Sequence, residues 1–264
     1  MNQTFSVSRF LLLVKVEFAE KSHTQVLTAG LLLAFLLLFM LPIIFFDGFR
    51  TNLSELHPLA LIMVVLFGGS IYTDLAFSQY GPREKSMVAL MVPASRLEKF
   101  LAPLVLNLIV IVPLIVLFLC LHDWTVDYAN AKIPATDQQY RKLPLPLLQV
   151  ITLFYIVIQG VVFFGSLYFT KSSYIKTVMA SILVILVLVV ANWAIVNSLL
   201  ADANPSSISA LPFSDWNVQF ETPKYKVFRV KYFDAIQSFM YLLPALITVS
   251  LWYITYVRLK EKEI

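Results

Sequence analysis

Charge, cysteine, histidine and glycine are all scarce in this 264-residue chain, and each shortage closes off a class of chemistry. A single cysteine, Cys120, excludes an internal disulfide. The three histidines, His23, His57 and His122, are scattered without metal-ligand spacing such as HExxH, so no metal site is expected. None of the seven glycines precedes a lysine, and a chain without GxxxxGK[ST] has no loop to cradle nucleotide phosphates. Only 14% of residues are charged, far below the share that keeps a globular domain in water. The net charge of +4 and pI near 9.0 come from basic residues dispersed through short loops, with no stripe or arm for nucleic acid.

What fills the chain is apolar: 59% hydrophobic residues and a mean hydropathy of +0.79 exceed what one soluble core can bury. The apolar residues fall into six runs, at 26–46, 59–77, 100–121, 147–169, 175–200 and 238–256. Each is close to the ~20 residues that cross a hydrocarbon layer as a helix. Only helices satisfy their own backbone in lipid when the runs are uninterrupted. The expected fold is therefore all-α: a polytopic membrane protein, one transmembrane domain over 1–264 with six transmembrane helices. Spans one to three lie in 26–121 and spans four to six in 147–256. The first run begins too late, is too long and lacks a small-residue exit for a cleaved signal. With six spans the termini share a side with the loops 78–99 and 170–176, and that side carries 12 of the 20 basic residues. The positive-inside rule makes it cytoplasmic. Trp252, Tyr253 and Tyr256 beside Arg258 read as an interfacial belt there.

Residues 1–25 are expected to form a cytosolic interfacial helix over 8–25, with Glu17 and Lys21 paired four apart; the alternative is an extension of the first span. Two external loops are sizeable, 122–146 and 201–237. In the second, alternation over 216–221 and 224–233 predicts a hairpin turning at Thr222-Pro223. Within the spans, Asp74 is the one acidic residue, expected near headgroup water or a base such as Arg83 or Lys85. Asn107, Gln159 and Asn192 could line a pathway or serve as hydrogen-bonding contacts between helices. Gly68, Gly69, Ser70, Gly160, Gly165, Ser166 and the Gly30–Ala34 spacing offer small faces for close packing. Ser70 is not expected to be a nucleophile, because no histidine falls in any span to serve as its base.

The loop after the second span, QYGPREKSMVALMVPASRLEKFLAPL, holds the most specific features. Gly81-Pro82 breaks the outgoing helix, and Arg83, Glu84 and Lys85 then open a short segment whose Met87, Leu90 and Met91 share a helical face. Pro93 ends that segment. Ser95, three residues before Glu98, forms a capping box for the helix that becomes the third span.

Glu84, Leu90, Met91, Pro93, Ser95, Arg96, Glu98 and Lys99 together resemble the corresponding loop of ABC type-2 transporter permeases, and PASRLEKF is similar to permeases of Bacteroidota. Ser86-Met87 stands where that family has Gly-Thr. The resemblance implies a coupling helix over 82–95, with 83–92 docking into a separate ATP-binding cassette subunit. Arg83, Glu84, Lys85, Met87, Leu90 and Met91 would contact that partner, and Pro93, Ser95 and Glu98 would cap the return. It further implies a homodimer or paired permease in a bacterial cytoplasmic (inner) membrane, exporting a substrate with ATP and Mg held by the partner. This chain would bind no cofactor and catalyse nothing. The rival expectation is a non-transporting scaffold or immunity-type protein that binds a partner through its external loops.

Overall fold

A computed structural model of the chain describes residues 4–45, 55–80, 91–133, 139–200, 207–209, 216–220, 226–230 and 234–262. Six helical stretches among these are long and apolar enough to cross a membrane.

The first is α1, Val7–Met40, a single helix of 34 residues and about 51 Å. The separate interfacial helix expected over 8–25 is instead its first half. No glycine or proline interrupts the chain before Gly30. Leu13, Glu17, Leu32, Leu36 and Met40 are buried along one stripe, while Lys15 points away from it to the exposed side. Leu41 ends α1 ahead of Pro42, which opens the short α2, Pro42–Phe45.

The second span joins α3, Leu56–Ala60, a π-helical stretch at Leu61–Gly68, and α4, Gly69–Ala76. Pro58 lies in the first turn of α3, where its missing N–H costs no bond. The third span, α5, runs Arg96–Ala131, 36 residues, and so takes in ten residues expected as external loop. Its extension is helical because His122, Thr125, Val126 and Ala129 form a buried face at helical spacing, with Val126 and Ala129 packed with Ile43 and Tyr140.

Helices α6, Leu145–Tyr168, α7, Ser173–Leu200, and α8, Asp234–Lys262, match the remaining three runs. Helix α8 packs along α6 more extensively than any other pair of elements, and α1 lies against α5. Small residues set these approaches. A Cβ on Gly160 would stand 3.3 Å from Thr248, one on Gly69 3.0 Å from the Tyr155 hydroxyl, and one on Gly165 would collide with Thr177. Gly30, by contrast, has nothing within 4 Å of an added Cβ, so the small face expected at Gly30–Ala34 meets no other helix among the described residues.

Between α7 and α8 lies a three-stranded antiparallel sheet: β1 (Ser207–Ser209), β2 (Trp216–Phe220) and β3 (Lys226–Val230), in that order. The β2–β3 pair is the expected hairpin, with Val218 opposite Phe228, while β1 has no counterpart in the sequence reading.

Residues near both termini meet at one end of the bundle, where Ser6 bonds Glu98 and Lys262 bonds the Tyr80 carbonyl. We term this the basal end and the opposite one, at Met40, His57, His122 and Tyr140, the distal end.

Gly165→Ala should lower the stability of the detergent-purified protein by about 1–3 kcal/mol, because the short Thr177 side chain cannot swing clear of the added methyl. Gly30→Ala should leave stability unchanged or raise it by up to about 1 kcal/mol. Thermal unfolding of the two variants side by side checks both signs.

Candidate functional site

The segment expected to dock a partner spans residues whose own placement lies outside the described set: Gly81, Pro82, Arg83, Glu84, Lys85, Met87 and Leu90. Its two roots are described in full. Met91 and Pro93, on the return, are exposed, Met91 at 83%. Two residues further on the chain enters the bundle.

At the return root, the capping box forms as expected. The Ser95 hydroxyl accepts the Glu98 N–H at 3.3 Å, and the Glu98 carboxylate accepts the Ser95 N–H at 2.8 Å. Nothing in the residues around Glu98 announces its further partners. Its second oxygen accepts the backbone N–H of Ser6 at 2.7 Å and faces the Arg9 guanidinium at 3.4 Å. Glu98 is fully buried. Three donors around a buried carboxylate are the condition under which such a charge is tolerated. One side chain therefore fastens the start of α5 to the start of α1.

The outgoing root is held by apolar packing and backbone carbonyls. A 3₁₀ turn at Ser78–Tyr80 follows α4, closed by the Tyr80 N–H on the Phe77 carbonyl at 2.9 Å. Phe77 and Tyr80 are buried, and Phe77 meets Phe163 edge-on at 4.4 Å and Phe100 at 6.3 Å. Phe100 in turn meets Tyr256 at 6.0 Å. Tyr256 and Trp252 thus pack on this cluster, and of the expected interfacial belt Tyr253 alone is exposed, at 67%. Lysines tie the carbonyls. Lys21 of α1 donates to Ala76 at 2.9 Å, and Lys262 of α8 donates to Tyr80 at 2.9 Å. Gln79 donates to Glu17 at 3.0 Å. Both roots of the 81–94 segment are thereby tied to α1, and the outgoing root to α8 as well.

The polar residues expected in the spans do not converge. Asn107, buried at 1%, bonds Thr73 of α4 through its amide nitrogen at 3.2 Å, the role of a helix-to-helix contact. It also borders a cleft of about 280 Å³ among α1, α4 and α5, which neither Gln159 nor Asn192 lines. Gln159 is buried, and its amide nitrogen has no partner among the described residues. Asn192 is half-buried on α7. Asp74 accepts the Ser173 hydroxyl at 2.8 and 3.0 Å, a partner 99 residues away that local sequence could not name. The Ser70 hydroxyl donates to the Phe67 carbonyl at 2.7 Å and lies 2.8 Å from the Tyr174 hydroxyl, so its surroundings are those of a packing residue. Among the described residues no three metal-ligating side chains gather. His57 and His122, however, do meet at the distal end, 2.8 Å apart.

Comparison with protein-family models, with curated proteins and with solved structures finds no match to this chain. The fold itself defines the class: an all-α polytopic protein embedded in a membrane.

Glu98→Ala should cost about 3 kcal/mol, since it strands the Ser6 and Ser95 N–H groups in a buried setting. Ser95→Ala should cost about 1 kcal/mol, the value of one cap. Unfolding midpoints, read with the rate of proteolysis within residues 1–20, check whether loss of Glu98 also frees the start of α1.

Proposed function

We propose that this chain is the permease subunit of an ATP-driven ABC type-2 exporter, embedded in a bacterial cytoplasmic membrane with both termini in the cytoplasm. It works as a homodimer or paired permease beside a separate ATP-binding cassette subunit that holds ATP and Mg and performs hydrolysis. The observation that carries this reading is the anchoring of both roots of the 81–94 segment to α1, and of the outgoing root to α8 as well. A loop that only connects two spans needs no such fastening. A loop that receives force does, because displacement at a slack root dissipates before it reaches the spans. Rigid roots convert movement of the docked segment into movement of α1, α5 and α8 together.

The segment's chemistry agrees with docking on protein. Arg83, Glu84 and Lys85 supply rim charges that set orientation, while Met87, Leu90 and Met91 supply adaptable apolar contacts. The exposure of Met91 and Pro93 leaves the return free for a partner.

One observation favours the rival reading of a scaffold that binds through its loops: the distal end carries ordered structure in the three-stranded sheet and the helical extension of α5. The two readings separate at the basal end. Glu84→Lys should abolish stimulation of the partner's ATP hydrolysis in the co-purified complex while membrane insertion and yield stay normal. Full stimulation in that variant, or failure to recover any ATP-binding subunit with the solubilised wild type, would sink the permease reading and leave the scaffold.

A further inference from the structure

The distal end holds a feature that no part of the coupling argument uses: two buried histidines joined in a chain of hydrogen bonds whose ends are both backbone groups. The Leu143 N–H lies 2.9 Å from His122 Nε2; His122 Nδ1 lies 2.8 Å from His57 Nδ1; His57 Nε2 lies 3.3 Å from the Met40 carbonyl oxygen. A backbone N–H can only donate, and a carbonyl can only accept. These two ends fix everything between them. His122 Nε2 must be a bare acceptor, so its proton sits on Nδ1 and is donated to His57 Nδ1. His57 must then carry its proton on Nε2, donated to Met40. All three bonds exist together only when both imidazoles are neutral.

A further proton has nowhere to go without breaking the chain. On His122 Nε2 it removes the acceptor of the Leu143 N–H. On His57 Nδ1 it sets two N–H groups face to face across 2.8 Å. Neither ring reaches water in the closed arrangement, His57 being 2% and His122 3% exposed, and Phe118 stacks parallel to His122. Among the described residues, the charged groups facing the pair are Asp123 and Asp127 on α5 and Lys142 on the 139–144 strap, which bridges them at 3.4 and 2.8 Å. The hydrogen bond to Asp127, and then the one to Asp123, hold the Lys142 ammonium above the ordinary lysine range, so it keeps its charge while histidines titrate. The two carboxylates beside His122 favour an imidazolium once the strap has lifted and water has entered.

We propose that His57 and His122 form a proton-operated latch: protonation breaks the Leu143–His122–His57–Met40 chain and releases the 139–144 strap from α5. The strap is otherwise held by the exposed Lys142 bridges to Asp123 and Asp127, by Asn130, whose amide nitrogen donates to the Tyr140 carbonyl at 3.0 Å and whose oxygen accepts the Tyr140 N–H at 2.8 Å, and by packing of Tyr140. Release therefore begins at Leu143 and works back toward Tyr140. The sign follows from proton counting. The closed form binds fewer protons than the open one, so closure is favoured as pH rises and lost as it falls. The latch is independent of the permease reading, since it needs neither nucleotide nor partner.

Nitrogen NMR of histidine-labelled full-length protein tests the geometry directly, with exposed His23 as the third signal. The expected spectrum at about pH 8 shows one histidine protonated at Nδ1 and another at Nε2, both neutral. Hydrogen exchange of the peptide holding Leu143 then tests the release. Corrected for intrinsic rates, it should rise at least tenfold between about pH 8 and pH 5 in the wild type. In the double variant His57→Gln, His122→Gln, which keeps a donor and an acceptor at each place without a titrating group, that rise should vanish. Absence of any Nδ1–H histidine in the wild type, or the same pH response in wild type and double variant, would overturn the proposal. The tautomer measurement needs no variant and decides the case if the double variant does not fold.

Discussion

The Glu98 carboxylate is the constraint around which the basal end is arranged. An ion stripped of water is tolerated only where donors replace its hydration, and here the donors come from two places far apart in the chain: Ser95 locally, and Ser6 with Arg9 from the beginning of α1. Because the charge cannot be left bare, the start of α1 is obliged to lie over the start of α5. That obligation turns α1 into a brace for the basal end. It also places Glu17 and Lys21 beside Gln79 and the Ala76 carbonyl, so that the end of the second span is held from the same helix.

Opposite ends of the bundle solve the burial of polar groups in different ways. The basal end uses fixed charges, with a carboxylate and lysines that meet backbone carbonyls and N–H groups. The distal end uses neutral imidazoles and an asparagine that borrows both backbone groups of Tyr140. Fixed charges hold under most conditions, whereas imidazoles are indifferent in charge only on one side of their titration. Between the ends, beside polar contacts such as Asn107 to Thr73, close approaches are set by glycine. Gly69 against Tyr155, Gly160 against Thr248 and Gly165 against Thr177 let backbones approach where lipid offers no hydrophobic drive.

Local patterns in the sequence carried the spans and the Ser95–Glu98 cap, because each depends on neighbours within a turn or within one run. The β2–β3 hairpin was legible for the same reason, through alternation over 216–221 and 224–233, within which the strands 216–220 and 226–230 form. What stayed hidden falls under two causes. Length of helix was misjudged where polar residues fill a buried stripe: Glu17 and Lys21 make the first half of α1 look like a surface element, and His122 and Thr125 make the last turns of α5 look like loop. Partners distant in the chain left no trace at all, since nothing near Asp74 announces Ser173 and nothing near His57 announces His122. The residues from Arg83 to Leu90, expected from sequence to dock a partner, fall outside the described residues, so what the structure contributes there is their roots.

Helix α7 is supported unlike its neighbours. Thr177 near its beginning and Val196 near its end are buried, yet every residue from Ile182 to Val190 is exposed within the chain. It stands like a beam resting on two piers with a free middle. Between those supports its side chains meet the surrounding medium rather than the rest of the bundle. The thickness and stiffness of the surrounding hydrocarbon thus become part of this protein's own conformational energy.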